Sequence, residues 1–271
     1  MASNAKQINI QINHLNVDYV TFGKGNKYLI IIPGVGDALK SVKGLATFYA
    51  RKYEIFTNDY KVYVISRKNK MPKKYKTSDM AEDIHTLIEH LNINECAVMG
   101  ISQGGMLAQH LAINYPEIVK KLVLIVTAPE PNAIMTNTIN NWLSMIKKKE
   151  YKNILTDTAL KSFVGKTANK YTKFYNIFYK AISPKSYLKY ETMLKACLKH
   201  DVTKELKRIT ADTLIIGAKL DQVLGYEGSI LLNNKIKDSK LILYDDYSHG
   251  VYDQVDNFNQ PIFDFLSKGD K

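Results

Sequence analysis

Six short apolar runs, rich in β-branched residues, recur along the chain and limit the folds that it can adopt. They occupy residues 28–32, 62–66, 97–100, 122–126, 213–216 and 241–244. Because each run is apolar almost without interruption, the pattern indicates strands with both faces buried, as in a parallel sheet. Residues 77–92 and 103–115 instead carry apolar side chains at helical spacing. The alternation predicts an α/β fold in which helices flank a mostly parallel sheet.

The first twenty or so residues follow a different pattern. Apolar or β-branched residues alternate there with polar ones, at Ile8, Ile10, Ile12, Val17, Tyr19 and Thr21. Strict alternation is typical of strands with one exposed face. We therefore expect an antiparallel hairpin at the edge of the sheet.

The strand pattern is interrupted between residues 131 and 205. From residue 132 onward this helix-like segment has fourteen lysines, no arginine and five acidic residues, and so carries nine of the twelve net positive charges. An insertion between strands of an open α/β sheet can cover their carboxyl ends, where such folds place their sites. We predict a helical lid over residues 131–205, inserted into an α/β core made of residues 1–130 and 206–271.

An aromatic stripe lies within the predicted lid. Tyr171, Phe174, Tyr175 and Phe178 are spaced i, i+3, i+4 and i+7, which places them on one side of a helix. Such a stripe packs either against the main domain or around a substrate pocket. Burial against the main domain is the expectation.

The most specific local motif is Gly100-Ile101-Ser102-Gln103-Gly104, which follows one apolar run and precedes a helical segment. A G-x-S-x-G pattern in this context is typical of a nucleophilic serine on a sharp strand-to-helix turn. The glycines leave room for neighbouring backbone, and the helix N-terminus favours negative charge that develops at the serine. The alternative is an ordinary glycine-rich turn. We predict that Ser102 is a nucleophile.

A serine nucleophile needs a base that accepts its proton. His249 follows the last apolar run, in the loop Asp246-Tyr247-Ser248-His249-Gly250. A loop at the carboxyl edge of a parallel sheet can reach the serine, so we expect His249 to be the base. The other histidines fall in the hairpin, the predicted helices and the insertion, at His14, His85, His90, His110 and His200.

The base in turn needs a carboxylate that orients it. Asp221 follows the run at residues 213–216, and the chain order Ser102, Asp221, His249 matches the order that enzymes with this serine turn use. Glu130, which follows the run at residues 122–126, is an alternative, as are Asp245 and Asp246. We expect Asp221 to be the acid.

Acyl-transfer chemistry also needs two backbone N–H groups that stabilise an oxyanion. We expect one from Gln103, the residue after the nucleophile. The other is expected from Val35 in the loop Pro33-Gly34-Val35-Gly36-Asp37, whose glycines allow the backbone to approach a substrate closely. Taken alone, this loop is also compatible with a plain turn, but the serine motif favours the oxyanion role.

Together these motifs resemble the α/β-hydrolase superfamily, most closely its capped small esterases, enol-lactonases and carbon–carbon bond hydrolases. The resemblance rests on residues 99–109, on Tyr115-Pro116-Glu117 with residues 120–124, and on residues 209–217 through Asp221 to Ser248-His249-Gly250. It covers about residues 25–130 and 208–268. The insertion resembles no lid that we can name.

The resemblance implies a triad of Ser102, Asp221 and His249, with oxyanion donors at Val35 and Gln103. The chain departs from the family pattern at two places: Pro33-Gly34 stands where many members have His-Gly, and Ser248 precedes His249 where glycine is usual. A serine at position 102 argues against haloalkane dehalogenases and epoxide hydrolases, which use aspartate there.

The sequence therefore predicts a carboxylesterase-like serine hydrolase that cleaves a carboxylic ester of a small molecule through an acyl-enzyme on Ser102. Alternatives with the same triad are cleavage of a lactone, thioester, amide or carbon–carbon bond. A non-enzymatic ligand-binding member of the fold is a further alternative. Charge alone also allows a protein that binds nucleic acid or a membrane surface.

The net charge of +12 is interpreted as a solvated, lysine-rich surface, because the sequence contains no recognisable nucleic-acid-binding module and no zinc-ligand spacing. Cys96 and Cys197 lack a disulfide pattern, which favours a reducing compartment. No apolar run reaches the roughly eighteen residues of a membrane span, and residues 1–10 show no secretion signal. We expect a soluble cytoplasmic protein that acts on a small molecule, without cofactor, metal, nucleic acid or membrane span, its oligomeric state left open.

Overall fold

The computed structural model describes residues 4–184 and 186–269. Residues 1–3, 185 and 270–271, which belong to the expected core and lid segments, lie outside the described residues. Within the described part, eight strands form one sheet in the order β1-β2-β4-β3-β5-β6-β7-β8. Their bounds are β1 Lys6–Ile12, β2 Leu15–Phe22, β3 Lys27–Ile32, β4 Tyr60–Ile65, β5 Cys96–Ile101, β6 Val119–Ile125, β7 Asp212–Ala218 and β8 Lys240–Tyr244.

The six strands from β4 to β8 along the sheet run parallel, whereas β2 pairs antiparallel with both β4 and β1. Each of the six apolar runs overlaps one parallel strand. The predicted α/β fold and the N-terminal edge hairpin are therefore confirmed.

Ten α-helices are present in the described residues. They are α1 Ala46–Lys52, α2 Thr77–His90, α3 Gln103–Asn114, α4 Ala133–Lys147, α5 Tyr151–Ser162, α6 Gly165–Ile182, α7 Leu188–Cys197, α8 Glu227–Lys235, α9 Val251–Gln254 and α10 Asn259–Ser267. Helices α2 and α3 begin at the predicted residues. Across residues 4–184 and 186–269, no helix combines the length and the apolar character needed to cross a bilayer.

The central strands bury side chains on both of their faces. In β3, Ile30 and Ile32 belong to one apolar cluster that includes residues of α2 and α3, whereas Leu29 and Ile31 belong to a second cluster that includes residues of α1 and α10. Full burial of such a side chain contributes about 1.5–3 kcal/mol. Because helices cover both faces, the strand sequences are continuously apolar rather than alternating.

Helices α4 to α7 form a helical insertion between β6 and β7. Trp142 on α4 and Tyr190 on α7 are buried, and their ring centroids lie 6.5 Å apart. Both belong to the same apolar cluster as residues of α2 and α3. The insertion is thus packed on the sheet domain through α4 and α7.

The aromatic stripe on α6 is only partly buried, so the expectation of burial is wrong for half of it. Tyr171 is half-buried and stacks on Phe163 with ring centroids 4.5 Å apart, and Tyr175 is also half-buried. Phe174 and Phe178, in contrast, are 43% and 47% exposed. At 100° per residue, Tyr175 and Tyr171 lie about 20° and 60° from Ala168, the buried residue of α6, whereas Phe178 and Phe174 lie about 80° and 120° away from it.

The turn between β5 and α3 generates a prediction about stability. A Cβ atom on Gly104 would lie 1.9 Å from the carbonyl oxygen of Ile32, whereas a Cβ on Gly36 would meet nothing within 4 Å. We expect Gly104→Ala to lower the free energy of unfolding by about 3 kcal/mol or more, because backbone must move. The control Gly36→Ala should change it by less than about 0.5 kcal/mol. Urea unfolding measures both, and equal midpoints would contradict the close approach.

Candidate active site

Ser102 occupies the sharp turn between β5 and α3 in a backbone conformation that side chains rarely adopt. Its φ of 55° and ψ of −122° lie in a sparsely populated region, which costs about 1–3 kcal/mol. The neighbouring strand holds this turn, because the Ser102 N–H donates to the carbonyl oxygen of Ile125 at 2.9 Å. The Thr127 hydroxyl donates to the Ser102 carbonyl oxygen at 2.8 Å. Ser102 is thereby fixed at the carboxyl edge of the sheet.

A second strained residue lies beside this turn, at the end of β6. Val126 has a φ of 42°, which is a rare conformation for a β-branched residue. Its N–H donates to the carbonyl oxygen of Ile216 at 2.7 Å. The residue after Val126 is Thr127, whose hydroxyl contacts Ser102. Nothing in the sequence signalled Val126.

His249 lies between the other two predicted triad residues. Its Nε2 atom is 3.0 Å from Ser102 Oγ, and its Nδ1 atom is 2.8 Å from Asp221 Oδ2. The other carboxylate oxygen of Asp221 accepts the N–H groups of Val223 and Leu224 at 2.8 and 2.9 Å. All three side chains are buried. Both imidazole nitrogens therefore have a partner, and the carboxylate is held by main-chain donors.

Two of the three alternative acids, Glu130 and Asp245, have other partners. Glu130 accepts a hydrogen bond from the Thr203 hydroxyl at 3.0 Å. Asp245 forms an exposed ion pair with Lys219 at 2.6 Å. Asp221 is thus the carboxylate that the structure brings to His249.

Three of the remaining histidines lie in other environments. His110 and His200 both contact the Thr77 hydroxyl, at 3.1 and 3.0 Å, and burial lowers the pKa of His200 to about 3. His85 stacks on the ring of Tyr115, with centroids 3.5 Å apart. These contacts are structural.

The two predicted oxyanion donors begin helices on either side of Ser102. Val35 is the first residue of a 3-10 helix over Val35–Ala38, and Gln103 is the first residue of α3. The first N–H groups of a helix lack an acceptor within the helix and can bind an anion. A Cβ atom on Gly34 would lie 3.1 Å from Ser102 Cβ, so the loop that carries Val35 lies directly against the serine.

A buried arginine joins the two segments that carry these donors. Arg67, just after β4, donates from Nη2 to the carbonyl oxygen of Pro33 at 2.6 Å and to Gln103 Oε1 at 3.4 Å. Burial lowers the pKa of its guanidinium, and the nearby Asp37 carboxylate opposes that shift. Arg67 Nε and Nη1 have no hydrogen-bond partner among the described residues. The sequence offered one signal for Arg67, its place directly after an apolar run.

The Gln103 side chain connects the serine turn with the insertion. Its Nε2 atom donates to the carbonyl oxygen of Met193 at 2.8 Å and contacts Cys197 Sγ at 3.2 Å. Met193 and Cys197 both belong to α7. The serine motif predicts a role for the Gln103 main chain, but no signal in the sequence predicts this role of its side chain.

A buried carboxylate forms a second connection to α7. Asp37 accepts hydrogen bonds from the Ser66 hydroxyl at 2.5 Å and the Arg67 N–H at 2.9 Å, and from Lys189 Nζ at 3.3 Å. Lys189 also donates to the Arg67 carbonyl oxygen at 2.9 Å. Lys189 belongs to α7, so the loop after β3 and the insertion are held together by charge-assisted contacts.

A cavity of about 290 Å³ opens at Ser102 and His249. Its walls come from the sheet domain, including Tyr49 and Tyr252, and from the insertion, including Trp142 and Tyr190. Large aromatic side chains therefore surround much of the space next to the serine. No local motif in the sequence marks any of these four residues, because they come together from distant parts of the chain.

The chain belongs to the α/β-hydrolase fold family, whose model matches residues 27–254. The crystal structure of MGS-M2, an α/β-hydrolase enzyme from a Medee basin deep-sea metagenome library, has a TM-score of 0.85 to this protein at 18% identity. That likeness covers 97% of this chain and 98% of the other chain. At this identity it concerns the fold.

Sequence relatives carry several hydrolase names. RutD of Pantoea ananatis, provisionally named a carbamate hydrolase, is 23% identical over 216 residues, which are 73% of each chain. The 3-oxoadipate enol-lactonase 2 of Acinetobacter baylyi is 22% identical over 250 residues, which are 91% of each chain. Epoxide hydrolase 1 of Caenorhabditis elegans is 28% identical over 143 residues, which are 52% of this chain and 35% of the relative. Together with the family, they support a hydrolytic enzyme of the α/β-hydrolase type.

The contact between Lys189 and Asp37 predicts an unequal response of two lysines on α7. Lys189→Met removes a partner of a buried carboxylate, so we expect a loss of about 2 kcal/mol in the free energy of unfolding. Lys195 pairs with Glu191 on the exposed side of the same helix, and Lys195→Met should cost less than about 0.5 kcal/mol. Urea unfolding compares the two variants. A Lys189→Met variant as stable as Lys195→Met would contradict the connection.

Proposed function

We propose that this protein is a serine hydrolase that cleaves a carboxylic ester of a small molecule through an acyl-enzyme on Ser102. One observation carries the proposal: Asp221 Oδ2 lies 2.8 Å from His249 Nδ1, and His249 Nε2 lies 3.0 Å from Ser102 Oγ. Serine is a weak nucleophile unless a positioned base accepts its proton. A histidine that contacts the serine on one side and a carboxylate on the other meets that need.

In the proposed mechanism, His249 Nε2 accepts the hydroxyl proton while Ser102 Oγ attacks the ester carbonyl carbon. Asp221 holds the Nδ1 proton and stabilises the imidazolium. The N–H groups of Val35 and Gln103 stabilise the oxyanion of the tetrahedral intermediate. The imidazolium then protonates the leaving alcohol, and a water molecule deprotonated by His249 hydrolyses the acyl-enzyme.

We further propose that residues 131–205 act as a lid on a core made of residues 1–130 and 206–271. Four residues of this segment, Trp142, Thr158, Ser162 and Tyr190, line the same cavity as Ser102. A substrate in the cavity would contact them together with residues of the sheet domain. Such a cover excludes water and strengthens the electrostatic contacts inside.

The cavity favours a small substrate with an apolar or aromatic acyl group. Its volume of about 290 Å³ lies just below the usual range for ligand pockets. Most of its lining surface is apolar, although Lys40, Lys52 and Asp253 also border it. A lactone is a second candidate, because the enol-lactonase relative matches 91% of the chain and a lactone is a cyclic ester. Serine rather than aspartate at position 102 argues against epoxide opening.

We propose that the protein works in a reducing, cytoplasmic environment. Cys96 and Cys197 are both free and buried. Burial raises the pKa of each thiol to about 12, so both are protonated at neutral pH. Neither thiol is therefore suited to a second nucleophile.

The nucleophile assignment is tested by replacing Ser102. Ser102→Ala should lower the rate of p-nitrophenyl acetate hydrolysis by at least about 1000-fold and abolish covalent labelling by a fluorophosphonate probe. Ser162→Ala is the control, because this serine lines the same cavity, while the hydrogen bonds of the His249 side chain within the described residues go to Ser102 and Asp221. Labelling that persists in Ser102→Ala and disappears in Ser162→Ala would reverse the assignment.

The acid assignment is tested by a pair of isosteric changes. Asp221→Asn should lower kcat by about 10000-fold with little change in fold, because the amide cannot stabilise the imidazolium and favours the wrong tautomer. Glu130→Gln should change kcat by less than about threefold, since its partner is Thr203. The reverse ranking in steady-state kinetics would show that Glu130 is the acid.

A further inference from the structure

The outer side of α6 carries a group of exposed apolar side chains away from the cavity. Ile177 is 71% exposed, and Phe174 and Phe178 are about half exposed. The rings of Phe174 and Phe178 contact each other, with centroids 5.0 Å apart. We call these three residues the α6 face. Large apolar side chains exposed together on one helix are typical of an interaction surface.

The charged side chains of α6 itself have one sign. Lys166, Lys170, Lys173 and Lys180 are exposed, and none of the eighteen residues of α6 is acidic. None of the ion pairs formed by the described residues includes these lysines. At 100° per residue, all four lie on the side of the helix next to Ile177. The neighbouring helix α5 has one acid, Asp157, which accepts from Trp142 Nε1 at 2.7 Å.

We propose that the α6 face docks on the surface of an anionic lipid bilayer. A helix with apolar side chains on one strip and lysines beside it lies in the plane of a bilayer, with the apolar strip among the acyl chains and the lysines at the phosphate groups. The lysines alone would also suit a nucleic acid. The most exposed residue, however, is the aliphatic Ile177, which matches acyl chains and offers nothing to a base or a phosphate.

The α6 face is connected to the candidate active site through the end of α5. The Gly250 N–H donates to the carbonyl oxygen of Ser162 at 2.6 Å, and the Ser248 hydroxyl donates to the carbonyl oxygen of Lys161 at 2.5 Å. Docking would therefore give the His249 loop a defined position relative to the bilayer. The docking itself is independent of the proposed reaction, because vesicle binding is measured without turnover.

Co-sedimentation of the full chain with vesicles tests the proposal. The protein should bind vesicles made of equal parts phosphatidylcholine and phosphatidylglycerol, and bind pure phosphatidylcholine much more weakly. Ile177→Ser with Phe178→Ser should weaken binding at least about tenfold through lost apolar burial. Lys170→Gln with Lys173→Gln should weaken it about thirtyfold, the equivalent of about 1 kcal/mol per lysine.

The matched control is Lys235→Gln with Lys237→Gln, two exposed lysines at the end of α8 and just beyond it. This variant loses the same charge and should keep binding within about twofold. Equal losses in both lysine variants would mean nonspecific charge attraction and overturn the proposal. The proposal is also wrong if Ile177→Ser with Phe178→Ser binds the vesicles as well as the wild type does, or if the wild type does not bind them. If the wild type is a dimer in analytical ultracentrifugation and Ile177→Ser with Phe178→Ser is a monomer, the α6 face binds a second copy of the chain and the lipid proposal is wrong.

Discussion

The close approach of α3 to the end of β3 is the contact on which the candidate active site depends. Gly104 passes so near the carbonyl oxygen of Ile32 that no side chain fits between them. Ile32 is the last residue of β3, so the same contact brings the following loop, with Gly34 and Val35, against Ser102. The strained Ser102 backbone is then held from the other side by Ile125 at the end of β6 and by Thr127 just beyond it. Strain at one residue is tolerated because the neighbouring strands over-determine its position.

Polar contacts then divide the insertion into an anchored part and an outer part. Helix α7 is largely buried and contacts the serine turn through Gln103 and the loop after β3 through Asp37. Hydrogen bonds and ion pairs are directional, and a buried carboxylate that loses its partner is costly, so α7 has a defined position relative to Ser102. On α6, by contrast, only Ala168 is buried. The segment that resembled no known lid is thus fixed where it meets the site and unburied where it faces outward.

The sequence predicted the parts of this protein that depend on local pattern. Strand positions, the hairpin and the serine turn follow from apolar periodicity and from glycines adjacent in the chain. Asp221 and His249 could be chosen because parallel strands bring their carboxyl ends to one edge, and the structure brings both to Ser102, although their catalytic roles stay a proposal. Arg67, the Gln103 side chain and the strained Val126 could not be chosen, because their partners come from segments far away in the sequence. The aromatic walls of the cavity were missed for the same reason.

The aromatic stripe on α6 shows the limit of periodicity: it predicts which residues share one side of a helix, but not whether that side is buried or exposed. Spacing grouped two tyrosines and two phenylalanines on one side, but the packing separates them, with Tyr171 and Tyr175 turned inward and Phe174 and Phe178 turned outward. This arrangement reverses the usual tendency, since phenylalanine is more often fully buried than tyrosine. For a helix surrounded only by water, placing the two phenylalanines inward and the two tyrosines outward would bury more apolar surface. The inverted order, beside lysines that form no ion pair within the described part of the chain, suits the proposed contact with lipid.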